Sequence, residues 1–396
     1  MKRAGWILVV LGLLAVWVPR GAQAVELEVG GKSALLMDVA TGTVLYESNS
    51  HEQLAPASVT KVMTMLLIME AIDEGRIGWD DTVTASEAAA AKGGSQIYLK
   101  VGETMTVSDM LKSIAVSSAN DCACAMAEHI AGSEAAFVDK MNTRAGELGM
   151  QDTHFVNCTG LDDGENAASH RTSAYDIALM SRQLLKYHPD IRKFTTIWMD
   201  TVRNFRKFTT IWMDTVRNGT FGLANTNKLV RFYEGATGLK TGFTSGAGYC
   251  LSASAQRDGR ELIAVVMGCA SSAERFAACK SMLDYGFANF AVIQAELPEK
   301  AQVSVKLGQS DAVSAVPGQT TELLVDKAQR GSITTEVTLE PEVTAPVSQG
   351  QRLGTLTVRS GEQVLAQVPL VAQDGVERLS FGDILVRVLR KVAMAK

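Results

Sequence analysis

The sequence predicts an α+β fold: an antiparallel sheet packed with helices, then a small C-terminal all-β unit and a terminal amphipathic helix. Three observations carry that expectation. Strand-like runs stand at both ends of a helical middle section between Lys32 and Gly268, so one sheet has to be assembled from distant parts of the chain. Around Pro298 the texture changes to valine, threonine and short alternating runs. From Ser380 onward, apolar residues recur at helical spacing.

The elements follow in order. Ala34 to Val39 and Thr43 to Glu47, joined by Ala40-Thr41-Gly42, read as a hairpin. Ala57 to Glu74 reads as a strongly apolar helix carrying Val62, Met63, Leu66, Leu67 and Ile72. Further helices are expected over 107–116, 121–131, 134–148 and 173–186. Three strand-like runs come next, at 236–243, 248–256 and 261–268, the last two joined by Arg257-Asp258-Gly259-Arg260. The β-rich unit is expected to hold strands at 303–307, 321–325, 333–339, 352–358 and 363–371.

The chain ends suggest where the protein works. Lys2 and Arg3, the apolar run from Trp6 to Val18, and Ala22-Gln23-Ala24 form an export signal over residues 1–24, cleaved before Val25. A membrane anchor is the alternative, but the run is short for a span and is closed by Pro19-Arg20. The remaining chain divides into a catalytic domain over 25–295, a β-rich domain over 296–378, and a helix over 379–396. In that helix Phe381, Ile384, Leu385, Val388 and Val392 share one face, with Arg387, Arg390 and Lys391 off it. Two readings suit it: a helix lying in an anionic membrane surface, or one packed on its own domain. Its cationic end and the export signal favour the membrane.

Composition excludes several classes. A formal charge of −5 gives no hint of nucleic-acid binding. The six cysteines (Cys122, Cys124, Cys158, Cys250, Cys269 and Cys279) lack zinc-site spacing, and the chemistry of the motifs described below needs no metal and no cofactor. Cys122 and Cys124 fall in a helical stretch, where packing as small hydrophobes is their expected role. Export permits disulfides, but spacing does not assign a pairing. One feature is local: residues 192–204 recur unchanged at 206–218, a tandem duplication of fourteen residues when Ile191 and Phe205 are included. It is too short and solitary for a solenoid. Two copies cannot fill one structural slot, so one is expected to be native and the other to loop out, leaving Trp198 or Trp212 poorly buried.

Three short motifs carry the chemistry. Ser58-Val59-Thr60-Lys61, Ser118-Ala119-Asn120 and Lys240-Thr241-Gly242 occur in this order. S-x-x-K or S-x-N alone turns up by chance about once in a few hundred residues. The ordered set is specific, and it is the pattern of penicillin-interacting serine acyl-enzymes. A serine hydroxyl is a poor nucleophile unless a neighbour takes its proton. Lys61, three residues on, lies on the same helix face. It can act as base only if its pKa falls by ~3 units from the free value, which burial and the nearby cation Lys240 would favour. Ser118 and Asn120 fall between two helices. Ser118 suits proton relay from Lys61 to a leaving amine, and Asn120 suits holding a substrate amide. Lys240-Thr241-Gly242 reads as an edge strand: Gly242 admits substrate backbone, while Lys240 and Thr241 bind a carboxylate.

With these motifs in place, the chain resembles the low-molecular-mass penicillin-binding proteins, specifically the serine-type D-alanyl-D-alanine carboxypeptidases. The resemblance also rests on residues 54–58, Asn157-Cys158-Thr159-Gly160-Leu161-Asp162, Ala224-Asn225-Thr226-Asn227-Lys228-Leu229 and Gly238 through Gly242. It implies a β-lactamase/transpeptidase-like fold, Ser58 as acyl-enzyme nucleophile, Lys61 as base, Ser118 and Asn120 in the acid–base and substrate-holding group, and Lys240 and Thr241 on the terminal carboxylate. It implies an oxyanion hole from the N–H groups of Ser58 and Phe243, and offers Arg275 as a further carboxylate contact. The implied partners are peptidoglycan pentapeptide stems, β-lactam inhibitors and a peripheral membrane contact through 380–396. The implied location is the extracytoplasmic face of the bacterial cytoplasmic membrane. A β-lactamase on the same fold is the nearest alternative. Class A enzymes use a further glutamate for deacylation, and Glu165-Asn166 lacks the required spacing. A non-catalytic β-lactam sensor is the other alternative.

Overall fold

The computed structural model describes residues 27–162, 166–197, 214–216, 221–297 and 301–394; in the final helix, side chains are described for 381–386 and 389. The export signal, Trp198 and Trp212 therefore lie outside the described residues.

Apolar runs with no polar alternation need cover on both faces, and the central sheet has it. Strands β1 (Ser33–Asp38) and β2 (Val44–Ser48) open the chain. Helices α1 (Lys61–Asp73), α2 (Val107–Ser117), α3 (Asn120–Ala131), α4 (Glu134–Glu147) and α5 (Ala174–Tyr187) follow. The sheet is completed by β3 (Ala236–Thr244), β4 (Gly248–Arg257) and β5 (Arg260–Cys269). The order is β2–β1–β5–β4–β3, every neighbouring pair antiparallel. The N-terminal hairpin thus joins a strand about 230 residues further along the chain, as the sequence leads one to expect, and β3 is left as an edge strand.

Successive strand residues face opposite layers. Leu35, Met37, Ile263 and Val265 join the cluster built by α1 to α5, while Leu36, Leu262, Ala264 and Val266 join a second cluster. That second cluster is closed by α6 (Ser272–Asn289), a helix absent from the sequence reading. Its signals are present: Ser271 caps the N–H of Glu274, and Arg275, Ala278, Cys279, Met282, Leu283 and Gly286 form the buried stripe. Gly286 is there for contact, since a Cβ would lie 2.6 Å from Leu262 Cδ1.

Helix α1 is buried nearly all round, from Lys61 to Met69 and again at Ala71. Such a helix belongs in the middle of a layer, and there it carries the lysine of the first motif into an apolar interior. The C-terminal unit forms a separate core around Leu353, Leu356, Val358 and Leu370. Its six-stranded sheet includes two strands not expected from sequence, Ala312–Pro317 and Glu342–Thr344. Pairing of β type begins at Phe290, ahead of the composition change, because Phe290–Gln294 lies antiparallel to Glu322–Asp326.

The duplicated segment divides between two places. The head of the first copy, Arg192–Thr195, is helical, with Phe194 and Thr195 buried. The tail of the second, Asp214–Val216, is a strand paired with Phe221–Leu223. Most of the rest of both copies, and with it the expectation that one of them loops out, lies outside the described residues.

Candidate active site

Ser58 lies in a 3-10 turn, Ala57–Thr60, that leads directly into α1. The turn places Lys61 Nζ 3.0 Å from Ser58 Oγ, and the amine also donates to Thr159 O at 2.6 Å. Lys61 is fully buried, and burial lowers its pKa from 10.5 to about 7, with Cys158 and Asp121 pulling weakly the other way. An amine of that kind is neutral for much of its time near pH 7, which is the condition for accepting a hydroxyl proton. Gly160, next to Thr159, has φ +82 and packs so closely that a Cβ would sit 1.8 Å from Ala57 O.

The second motif lies where α2 gives way to α3, next to Asp121, whose charge acts on Lys61. Ser118 ends α2 in the left-handed region, φ 63 and ψ 30, a conformation that costs a non-glycine residue energy and is retained where surroundings require it. Asn120 is not in a loop but is the first residue of α3. Its Nδ2 donates to Gly93 O at 2.7 Å, so its Oδ1 faces away from that bond. Ser118 Oγ and Asn120 Oδ1 are both buried without a hydrogen-bond partner. Buried polar atoms are nearly always paired, so two orphans only two positions apart in the chain mark a place where a ligand can complete the pairing. Sequence reasoning missed Asp121, whose buried carboxylate accepts from the N–H groups of Ile97, Leu99 and Cys122 and so ties the 93–99 loop to α3.

The third motif lies on edge strand β3, where the free side of the strand can receive an extended peptide. A Cβ on Gly242 would stand 3.1 Å from Ser58 N and 2.8 Å from Pro56 O, so glycine lets the strand touch the nucleophile's turn. Lys240 is buried, donates to Thr241 O at 3.0 Å, and has its pKa driven well below the usual lysine value by burial, then by Lys61 and Arg275. Thr241 Oγ1 donates to Thr226 Oγ1 at 2.7 Å, and Thr226 N–H is held by Val116 O. Asn227 Nδ2 donates to Gly238 O. The Ala224–Leu229 segment therefore straps β3 to the end of α2. Phe243 is half-exposed and packs against Tyr249, the ring centroids 4.3 Å apart and the planes tilted by 31°. Arg275 is not open to the cleft: it is buried, and its Nη1 donates to Gly242 O at 2.8 Å and Cys250 O at 3.3 Å. A cavity of about 360 Å³, walled by Pro56, Ala57, Gly160, Leu161 and Thr244, adjoins the turn.

The six cysteines are all buried, and none is in a disulfide. Burial and Glu134 push the Cys158 thiol well above its ordinary value, which keeps it protonated and unreactive.

A lysine whose pKa burial lowers to about 7, 3.0 Å from a serine hydroxyl and with a Lys-Thr-Gly edge strand against the same turn, is an arrangement suited to serine acyl transfer. Comparison with known proteins is specific about the kind. The family model described as D-alanyl-D-alanine carboxypeptidase matches residues 20–271, and that of the penicillin-binding protein 5 C-terminal domain matches residues 289–378. The chain is 42% identical to the D-alanyl-D-alanine carboxypeptidase DacF of Bacillus subtilis over 93% of this chain and 92% of that protein. It is 34% identical to DacD of Escherichia coli, over 92% and 91%. Penicillin binding protein 5 from Haemophilus influenzae superposes with a TM-score of 0.76 at 27% identity, covering 89% of this chain and 98% of that one. Penicillin-binding protein D2 from Listeria monocytogenes, solved in an ampicillin-bound form, superposes with a TM-score of 0.55 at 29% identity over 66% of this chain and 99% of that one. The chain belongs to the D-alanyl-D-alanine carboxypeptidase family, and its activity class is serine-type carboxypeptidase.

Proposed function

We propose that Ser58 is the acyl-forming nucleophile for removal of the terminal D-alanine from peptidoglycan pentapeptide stems. The observation that carries this is the neutral-leaning Lys61 amine, 3.0 Å from Ser58 Oγ. Lys61 takes the hydroxyl proton as Oγ attacks the penultimate D-alanine carbonyl. The N–H groups of Ser58 and Phe243 receive the developing oxyanion, and donors aimed at that charge are worth about 10²–10³ in rate each. Lys240 and Thr241 hold the terminal carboxylate, whose charge draws a proton onto Lys240; Gly242 leaves room for the substrate backbone. Asn120 Oδ1 accepts a substrate N–H, since its Nδ2 is already engaged. The proton on Lys61 passes through Ser118 Oγ to the departing D-alanine nitrogen. Water then attacks the ester carbonyl while Lys61 takes its proton, and Lys61 returns that proton to Ser58 Oγ as the ester C–O bond breaks, freeing the shortened stem and restoring the neutral amine.

A β-lactam presents a carbonyl and a carboxylate at similar spacing, so it acylates the same serine and inhibits. The chain acts after export, with the 1–24 signal removed. The final helix supports membrane contact: it spans Phe381–Met394, starts with a reciprocal Ser380–Asp383 cap, and leaves Phe381 82% exposed with Ile384, Leu385, Val386 and Leu389 also exposed. No helix among the described residues is long and apolar enough to cross a membrane. The test is D-alanine release from a peptide ending in D-Ala-D-Ala, measured beside nitrocefin turnover, with mass spectrometry of the penicillin adduct. Release with slow nitrocefin turnover and an adduct on Ser58 is expected. An adduct elsewhere refutes the site, rapid nitrocefin hydrolysis without D-alanine release makes it a β-lactamase, and labelling without turnover makes it a sensor.

A further inference from the structure

The direction of a backbone N–H is set by whatever holds the carbonyl of the same peptide unit, because a trans peptide is planar with the two groups pointing oppositely. Both proposed oxyanion donors sit in peptides whose carbonyls are gripped from behind by buried side chains. For Phe243 N–H the carbonyl is Gly242 O, held by Arg275 Nη1. For Ser58 N–H it is Ala57 O, which accepts from Thr60 Oγ1 at 2.8 Å. Ala57 has φ 48, in the left-handed region that an alanine adopts only when its surroundings impose it.

The hydroxyl of Thr60 has a single proton, and a second partner decides where it goes. His170 Nε2 lies 2.8 Å from Thr60 Oγ1, while His170 Nδ1 accepts the Val156 N–H at 3.2 Å. A ring nitrogen that accepts carries no proton, so the imidazole proton is on Nε2 and points at Thr60. Thr60 must then accept from His170 and donate to Ala57 O. Both residues are buried, Thr60 fully and His170 to within 3%. Burial, with nearby His154, Arg171 and Lys61, lowers the His170 pKa to about 4, so the ring stays neutral in this tautomer at ordinary pH.

We propose that Thr60 and His170 are positioning residues for acyl transfer: the relay from His170 Nε2–H through Thr60 Oγ1–H to Ala57 O fixes the Ala57–Ser58 peptide plane and so aims the Ser58 N–H at the oxyanion. Both act on the reaction through the Ala57–Ser58 peptide. The inference rests on the assignment of Ser58 as nucleophile.

The test compares wild type with Thr60→Val, Thr60→Ser and His170→Gln. Each is checked for folding by thermal melting, then for kcat, KM and affinity for a peptide boronate, which forms a tetrahedral adduct on serine. A misaimed donor weakens the tetrahedral state and leaves ground-state binding alone. Thr60→Val is expected to lose about 10- to 100-fold in kcat and a similar factor in boronate affinity, with KM changed less than about threefold. Thr60→Ser keeps the hydroxyl and stays within about threefold of wild type. His170→Gln follows Thr60→Val in direction, and it carries the test if Thr60→Val does not fold. Folded variants that keep kcat and boronate affinity, or that lose KM alone, overturn the proposal, as does a Thr60→Ser variant as impaired as Thr60→Val. If wild type itself carries its penicillin adduct away from Ser58, the nucleophile assignment has failed, and the proposal falls with it.

Discussion

Replacing Lys61 by arginine keeps the positive charge and approximate length but removes a base, because a guanidinium stays protonated throughout the working range. The magnitude follows from burial. At pH 7.5 a lysine with the ordinary value of 10.5 is neutral about one part in a thousand, whereas one at about 7 is neutral roughly three-quarters of the time. The interior of α1 thus raises the competent fraction roughly 700-fold, a displacement worth roughly 5 kcal/mol. Lys61→Arg should lower the rate of acylation by a labelled penicillin by ~10³ or more. In wild type the acylation rate should fall about tenfold per pH unit below about 7, since acid charges the base, and flatten above it. Stopped-flow acylation from pH 5 to 9 measures both. A flat wild-type profile from pH 5.5 to 8, or an arginine variant within tenfold of wild type, would refute the argument that burial makes Lys61 the base.

Two further outcomes follow from other parts of the chain. Deleting residues 199–212 leaves one copy of the duplicated segment, with the residues of its helical head and its strand still present. Shortening the connection between Thr195 and Asp214 from eighteen residues to four relieves about 1 kcal/mol of closure entropy; the deletion should retain D-alanine release and raise Tm by about 2–4 °C, and a loss of folding would show that the extra residues are used. Truncation after Leu379 should abolish co-sedimentation with phosphatidylglycerol vesicles while leaving turnover of a soluble peptide within about twofold. Equal sedimentation of the truncated protein would place the membrane contact elsewhere.

Residues close in sequence announced much of this protein. Ser58 and Lys61 are three apart on one turn, so their proximity is a local property that any helix beginning there would produce. The ordered motifs, the apolar runs of β4 and β5, and the periodicity of α2 to α5 were likewise legible, because each element writes its own repeat into the chain. Helix α6 was overlooked although its cap and stripe are present; its serines, alanines and glycine make a weak apolar signal, and it is helical because Gly286 and its neighbours fit against β1 and β5. The small strands at 312–317 and 342–344 are too short to carry a pattern alone and are recruited by partners.

What sequence by itself determined is which groups can react: an alcohol, an amine, a Ser-x-Asn corner and a Lys-Thr-Gly strand, in an order that names the family. Only the tertiary structure decided their state. Lys61 leans neutral because the helix carrying it is buried, Asn120 offers oxygen because Gly93 occupies its nitrogen, and Arg275 grips Gly242 from behind because α6 packs against the sheet. His170 reaches Thr60 across 110 positions. Protonation and hydrogen-bond direction depend on solvent exclusion and on partners distant along the chain, and no local pattern encodes either.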